Sequence, residues 1–481
     1  MRMLGKVRVR FAPSPTGHLH IGGLRTAIFN WLFARHHKGV FLLRIEDTDL
    51  ERSKSEYTES ILASFDWMNI DYDEPVVIQS QRVTRHQEVA KYLIANNKAY
   101  YCTCTHDDIV ERLSMQPGFD AQFIKYDAFC WKKKEAGNPH KSGALRFRIP
   151  EAITSITIND LILGTITIDR DQLDDFIIVR SDGTPMYNFV VIVDDADMQI
   201  SHVIRGQEHI ANTPKQILLY QACDFNVPEF AHLPMILAPD GSKLSKRDAA
   251  TGVFEYKQLG YLPEALFNYL VRLGWAHGDQ EIFSREEIIA LFSLDHINKK
   301  GAVFDQQKLD WLNGLYMRQT SDERLLEIIT KDIAPDLSAQ TPVWNHEQRI
   351  RLVALFKERA KTLKDIVADC IAFYQLPSVY QPEDIAQWIT LVTVGYLQEL
   401  IAALSDLHPF MADTLNATLK NWVKTKELKI VAIAQPLRIA LMGKSSGPGI
   451  YELMAIIGKD ATVQRIEKFI NFLTNNNENQ I

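Results

Sequence analysis

Between Lys6 and Ile45 the hydrophobic period of the chain changes twice, which restricts the folds open to it. Val7, Val9 and Phe11 alternate with Arg8 and Arg10, the two-residue period of a strand. Pro13 and Pro15 cannot donate to a sheet ladder, so the strand must stop, and Gly17, Gly22 and Gly23 let the backbone turn tightly and a ligand come close. From Leu24 the spacing of Leu24, Ile28, Trp31 and Leu32 is that of a helix buried along one face. Val40 to Ile45 is a second apolar run. Strand, turn, helix and strand predict a right-handed βαβ unit of a parallel sheet, its first loop at the carboxyl edge where ligands bind.

His18 and His20 stand in that loop just before the helix N-terminus, where free backbone N–H groups and the helix dipole attract phosphate. The loop matches neither the Walker phosphate loop nor the dinucleotide-binding glycine pattern. A single loop histidine is more often an ordinary surface residue, so the reading needs a partner. Met235 to Ala238 predicts a short strand, followed by Pro239, Asp240, Gly241 and the basic loop SKLSKRDAA with Lys243, Lys246 and Arg247. A lysine there can meet a polyphosphate as a point charge, although a basic loop taken singly is more often solvated.

Together, PSPTGHLHIGG and KLSKR resemble the paired HIGH and KMSKS signatures of class I aminoacyl-tRNA synthetases. The words RFAPSPTG, LRIEDTD, PMYNFVVIVDD, HVIRGQEH, NTPKQILLY, KLDWLN, ERAKTLK and QPLRIAL extend the resemblance, over nearly the whole chain, to the bacterial glutamyl-tRNA synthetases. Gly23 stands where HIGH ends in histidine; glutamyl enzymes commonly carry glycine there. The resemblance implies ATP-dependent attachment of L-glutamate to tRNA-Glu through a glutamyl-adenylate, with Mg²⁺ accompanying ATP, or charging of tRNA-Gln as well. It assigns catalysis to His18, His20, Lys243 and Lys246, and ATP binding to His20, Gly22, Gly23, His209, Lys243, Lys246 and Arg247. Glutamate falls to Arg10, Ala12, Ser14, Glu46, Tyr187, Asn188 and Arg205, with Arg10 or Arg205 facing the side-chain carboxylate. The plainer alternative for Arg205 is an ion pair with Asp194 or Asp195. A polar site that loses its designed partner discriminates by roughly 10⁴ or more, so no editing domain is needed.

The implied architecture is multidomain, α/β followed by α. A Rossmann-like parallel-sheet domain is expected at 1–85 and 187–250, interrupted by an acceptor-end lobe at 86–186, then a stem-contact fold at 251–322 and an all-helical anticodon domain at 323–481. Tyr187 to Val193 reads as a buried strand ending at Asp194 and Asp195, His202 to Ile204 as another, and Lys215 to Ala222 as a helix with Asn212 as its cap. Asp49 or Ser53 is expected to cap the helix after the second strand. Within the inserted lobe, Cys102, Cys104 and Cys130 invite a zinc site completed by Tyr126 or His106, since soft thiolates would staple a lobe with little core; three buried free thiols are the alternative. A basic helix from Phe356 to Ile366, carrying Lys357, Arg359, Lys361 and Lys364, is the expected tRNA reader, with Arg359 touching a base. Only Asn471 to Ile481 looks frayed.

The formal charge of −7 argues against a uniformly basic nucleic-acid coat, so phosphate affinity must come from local patches such as Lys132 to Lys134, Lys299 with Lys300 and Lys424 to Lys429. No membrane span, cleavable signal or disulfide framework is expected, which favours the cytoplasm, and the chain is expected to be a monomer. Two rivals remain. A small-substrate nucleotidyltransferase would have no use for the helical tail, and a non-catalytic tRNA-binding descendant could dispense with His20, Lys246 and Arg205. The glutamyl-queuosine relatives, too, lack the tail.

Overall fold

A computed structural model describes residues 6–49, 51–115, 120, 124–137, 140–244, 252–341 and 343–478. The chain divides into two compact units, Met1–Phe254 with Phe267–Asp305, and Glu255–Leu266 with Gln306–Ile481.

In the first unit β1 (Arg8–Phe11) lies parallel to β2 (Val40–Ile45), with Arg8 opposite Val40 and Phe11 opposite Leu43, and β3 (Val77–Ile78) continues the parallel order beyond β2. The helix Ile21–His36 connects β1 to β2 as the sequence predicts. Its Leu24, Ile28 and Leu32 are fully buried, each contributing roughly 1.5–3 kcal/mol relative to exposure. Asn30 donates to the Ile204 carbonyl and pins this helix to a later strand.

Seven further strands form a separate antiparallel lobe and an extension of the parallel fold. β4 (Ala99–Cys102), β5 (Ala144–Phe147) and β8 (Ile177–Val179) make a small antiparallel sheet. The hairpin of β6 (Ser155–Asp160) and β7 (Gly164–Asp169) joins β10 (Glu229–Leu233), which lies parallel to β9 (His202–Gly206). Arg8 and Ser201 exchange hydrogen bonds, which brings β1 beside the start of β9. Leu42, Phe147, Ile158, Phe189, Val203 and Phe230 share one buried core, so side chains between residues 86 and 186 pack with the nucleotide fold itself. The short strand expected at Met235–Ala238 is β11 (Ile236–Leu237), paired with β12 (Ala302–Val303).

Three local expectations are corrected. Tyr187–Asp197 is an α-helix, not a strand: Phe189 to Asp195 are all buried, so the segment has no polar face and its apolar run carries no period to distinguish the two. Neither Asp49 nor Ser53 caps the helix Ser55–Met68, whose N-cap is Lys54 without a side-chain bond; Asp49 instead holds Arg52. Asn212 holds the N-cap position expected of it but makes no side-chain cap bond, and the helix begins on Thr213 and Pro214 instead of Lys215.

Among its described residues the second unit consists of helices and the connections between them, with no strand. Leu325, Leu352, Phe356, Ile366 and Phe373 centre one core, and Leu397, Leu400, Leu419, Leu437 and Phe469 another. The single basic helix expected over Phe356–Ile366 is two helices, His346–Lys357 and Leu363–Tyr374. Thr362 and Asp365 form a capping box that starts the second, and Asn313 binds the Lys361 carbonyl in the connection. The helix Lys459–Glu478 carries the Asn-rich segment on to Glu478, beyond the frayed start expected at Asn471. Among the described residues no single helix is long and apolar enough to cross a membrane.

Candidate active site

His20 is the N-cap of the helix Ile21–His36, and its Nδ1 accepts the Gly23 N–H at 3.1 Å. A neutral imidazole that accepts at Nδ1 must carry its proton on Nε2, so the ring presents a donor. Burial and the nearby charge of Lys243 both hold His20 below the usual histidine range. The glycines make room for this pose: a Cβ on Gly22 would lie 3.1 Å from the His20 ring, and one on Gly23 would lie 2.9 Å from Leu19. His18 turns instead toward the helix Ser55–Met68, with Nδ1 3.0 Å from Ser60 Oγ and its ring edge-on to Tyr57.

The second loop reaches the first through the backbone. Leu237 bridges Lys243 across a turn closed by Ala238, Ser242 and Gly241, and after the loop Gly252 bridges His20 while the Val253 amide donates to Leu19. Lys243 is exposed at the mouth of this turn. Lys246 and Arg247 lie outside the described residues.

Behind the loops lies a buried ionic cluster. Arg10 donates to Asp195 through Nε at 3.0 Å and Nη2 at 3.2 Å. Arg44, fully buried in β2, donates through Nη1 to Asp195 at 2.5 Å and through Nη2 to Glu46 at 2.9 Å. Burial pushes the Glu46 carboxyl up, against the pull of Arg44. Asp195 goes the other way: burial favours its acid form, but Arg10 and Arg44 outweigh this and bring it to about 2. Arg44 and Asp195 were not among the expected site residues, although an arginine inside the otherwise apolar run Val40–Ile45 requires a buried anion somewhere.

Arg205 enters the same cluster from β9 and pairs with neither Asp194 nor Asp195. Its Nε donates to His232 Nε2 at 3.3 Å and its Nη2 to Thr213 Oγ1 at 2.9 Å, while Nη1 is buried without a partner. Tyr187, at the start of its helix, lies 3.3 Å from His209 Nδ1, and burial together with the Glu46 charge raises its hydroxyl to about 12. His209 is held at about 4 by burial and by Arg205, and is therefore neutral. Asn188 accepts from Gln216 and donates to Asn212, Ala12 is half-buried, and Ser14 is exposed. Pro13 and Pro15 carbonyls accept the Glu46 and Lys54 amides, which ties this loop to the end of β2. Three guanidinium groups, on Arg10, Arg44 and Arg205, stand with two carboxylates, on Glu46 and Asp195, and a third carboxylate, Asp160, reaches Arg205 through His232.

In the small antiparallel lobe, Cys102, Cys104 and Cys130 bring their sulfur atoms within 4.8 Å of one another. The Tyr126 hydroxyl lies 3.4 Å from Cys102 Sγ and accepts the Cys130 amide at 2.9 Å. Three thiols and a phenol oxygen on one point suit a tetrahedral, sulfur-rich ion. His106 sits on an exposed first turn. In the second unit, Arg359, Asp369, Lys444, Gly447 and Pro448 line a cavity of about 150 Å³. Arg359 donates to the Gly447 carbonyl at 2.6 Å, Lys361 and Lys364 are exposed, and Lys357 is bound to Asp322 and the Thr320 carbonyl.

The family model "tRNA synthetases class I (E and Q), catalytic domain" matches residues 6–311, and "Anticodon binding domain" matches residues 316–470. Glutamate-tRNA ligase 1 of Syntrophus aciditrophicus is 45% identical over 474 residues, 98% of this chain and 99% of that protein. Glutamate-tRNA ligase of Thermodesulfovibrio yellowstonii is 44% identical over 467 residues, 97% of this chain and 99% of its own length. Among solved structures, a glutamate tRNA ligase from Elizabethkingia meningosepticum in complex with its amino acid aligns with a TM-score of 0.85 at 34% identity, covering 97% of this chain and 99% of that one. The chain belongs to the class I tRNA synthetases of the glutamate and glutamine type, with a catalytic domain followed by an anticodon-binding domain.

Proposed function

We propose that this protein joins L-glutamate to tRNA-Glu by way of glutamyl-adenylate. The carrying observation is Arg205 Nη1, a buried donor without a partner among the described residues. L-Glutamate carries a side-chain carboxylate where glutamine carries a neutral amide, so glutamate gives Nη1 a charged acceptor. Glutamine offers only a neutral amide to the same guanidinium, a weaker acceptor than a carboxylate. In this reading Glu46 and Tyr187 receive the ammonium group, and Arg10, Ala12, Ser14 and Asn188 add further contacts to glutamate.

In the first step a glutamate α-carboxylate oxygen attacks the α-phosphorus of ATP, and the bond to pyrophosphate breaks. His20 donates from Nε2 to a phosphate oxygen, the amide at Gly22 adds the helix N-terminus, and Lys243 closes from the opposite loop. Lys246, Arg247 and His209 complete the ATP contacts, with Mg²⁺ entering as part of the nucleotide substrate and sharing the phosphate charge. A ribose hydroxyl of the tRNA's terminal adenosine then attacks the acyl carbon, and AMP leaves. No protein nucleophile is needed, because positioning and charge neutralisation supply the rate.

The same reading assigns residues 86–186 to the acceptor end, 251–322 to the stem and 323–481 to the anticodon, with Arg359 reading a base and Lys361 and Lys364 meeting phosphate. Cys102, Cys104, Cys130 and Tyr126 hold one structural zinc. The free thiols accord with a cytoplasmic enzyme. The test of the amino-acid site is Arg205→Met in aminoacylation of tRNA-Glu: the glutamate KM rises by roughly 10²-fold and the preference over glutamine erodes. Unchanged KM and preference would return Arg205 to a structural part. Running tRNA-Gln beside tRNA-Glu reads whether both are charged.

A further inference from the structure

His232 is the cross-strand partner of Arg205, the two Cα positions standing opposite each other in the β9–β10 pair. Both its side chain and that of Asp160 are wholly buried. Arginine has donors only, so the His232 Nε2 that meets Arg205 Nε at 3.3 Å must be an unprotonated acceptor. The ring proton therefore sits on Nδ1, 2.6 Å from Asp160 Oδ2. Asp160 in turn accepts the Ile162, Leu163 and His232 amides at 3.0, 2.8 and 3.1 Å, which leaves its carboxylate one orientation. Phe230, stacked beside the His232 ring, supplies a face under the Arg205 guanidinium, and Thr213 takes Nη2. Every face of the guanidinium except Nη1 is thus spoken for.

Resting on the reading that Arg205 selects glutamate, we propose that His232, oriented by Asp160, is a positioning residue for amino-acid specificity: by accepting from Nε it turns the guanidinium so that Nη1 meets the side-chain carboxylate of the substrate. Asp160 lies at the end of β6, within the segment that interrupts the nucleotide fold, so that segment helps to build the amino-acid site as well as its own lobe. Burial also lowers the proton affinity of His232, which keeps the ring in the accepting form.

The experiment compares His232→Phe, Arg205→Met and the double variant of the full chain in aminoacylation of tRNA-Glu, measuring KM for glutamate and for ATP and the preference over glutamine. His232→Phe fills the ring volume without an acceptor, and is expected to raise the glutamate KM about 10- to 100-fold, the worth of one hydrogen bond to a charged group. The ATP KM stays within about twofold, and in the Arg205→Met background the His232 change adds almost nothing, since neighbours acting through one group are not additive. An effect that multiplies with Arg205→Met, or a His232→Phe enzyme with unaltered glutamate KM, overturns the proposal. If Arg205→Met itself leaves the glutamate KM unmoved, the selector reading fails first and this positioning role falls with it. Should His232→Phe not fold, Asp160→Asn, which removes the anion that holds the His232 proton on Nδ1, carries the same comparison.

Discussion

Asp195 shows how much a single buried carboxylate can hold. It receives Arg10, Arg44 and the Tyr220 hydroxyl, so its removal strands two guanidinium groups away from water. Breaking a buried pair of this kind costs roughly 3–5 kcal/mol. Because its folded pKa of about 2 lies below the unfolded value near ~3.9, the charge contributes stability above about pH 4 and loses it as pH falls toward 2. The linked part is on the order of 2 kcal/mol. The Tm gap between wild type and Asp195→Asn is therefore expected to be wide at pH 6 and to narrow between pH 5 and pH 3. A gap that is constant across that range would show that the Asp195 charge is not what holds Arg10 and Arg44.

At the scale of elements, the junction of the first loop with the helix Ile21–His36 positions the His20 donor, and the two glycines after it leave the ring its space. Gly22→Ala places a methyl against the imidazole, so the ring must give by a few tenths of an ångström. Since a misplacement of about 1 Å can cost about 10²-fold, adenylate formation is expected to slow by about 10-fold with the glutamate KM nearly unchanged. Equal losses in both would mean that the loop as a whole had shifted. This βαβ unit was legible in the sequence because its period changes from two to 3.6 and its breakers are proline and glycine. The helix Tyr187–Asp197 was not, because a segment buried on every side has no period to read. The histidines, lysines and arginines of the two signature words could be named from the chain, as could the three clustered cysteines. Arg44, Asp195, His232 and Asp160 could not, since each draws its meaning from a partner more than 70 residues away or from a strand register that only the fold supplies.

Across the whole molecule, amino-acid choice and tRNA choice belong, on the proposed reading, to different units, so each is expected to be perturbed alone. In the helical unit the expected readers lie on the connection between His346–Lys357 and Leu363–Tyr374 and on the turn that follows it, with Arg359 beside the cavity. Arg359→Gln is expected to change which anticodon is preferred, whereas Lys364→Ala weakens all tRNAs alike and lowers the salt slope by about 1. Assays on tRNA-Glu transcripts differing only in the anticodon, at two salt concentrations, separate the two; if preference and slope both hold, the reader lies elsewhere in the unit. The most direct measurement of the central claim is aminoacylation of tRNA-Glu with each of the twenty amino acids, by the wild-type chain and by Arg205→Met. The expected result is glutamate alone with wild type, glutamine trailing by roughly 10⁴ or more, and a narrowed gap in the variant. Charging with a different amino acid, or equal charging with glutamate and glutamine by wild type, would contradict it.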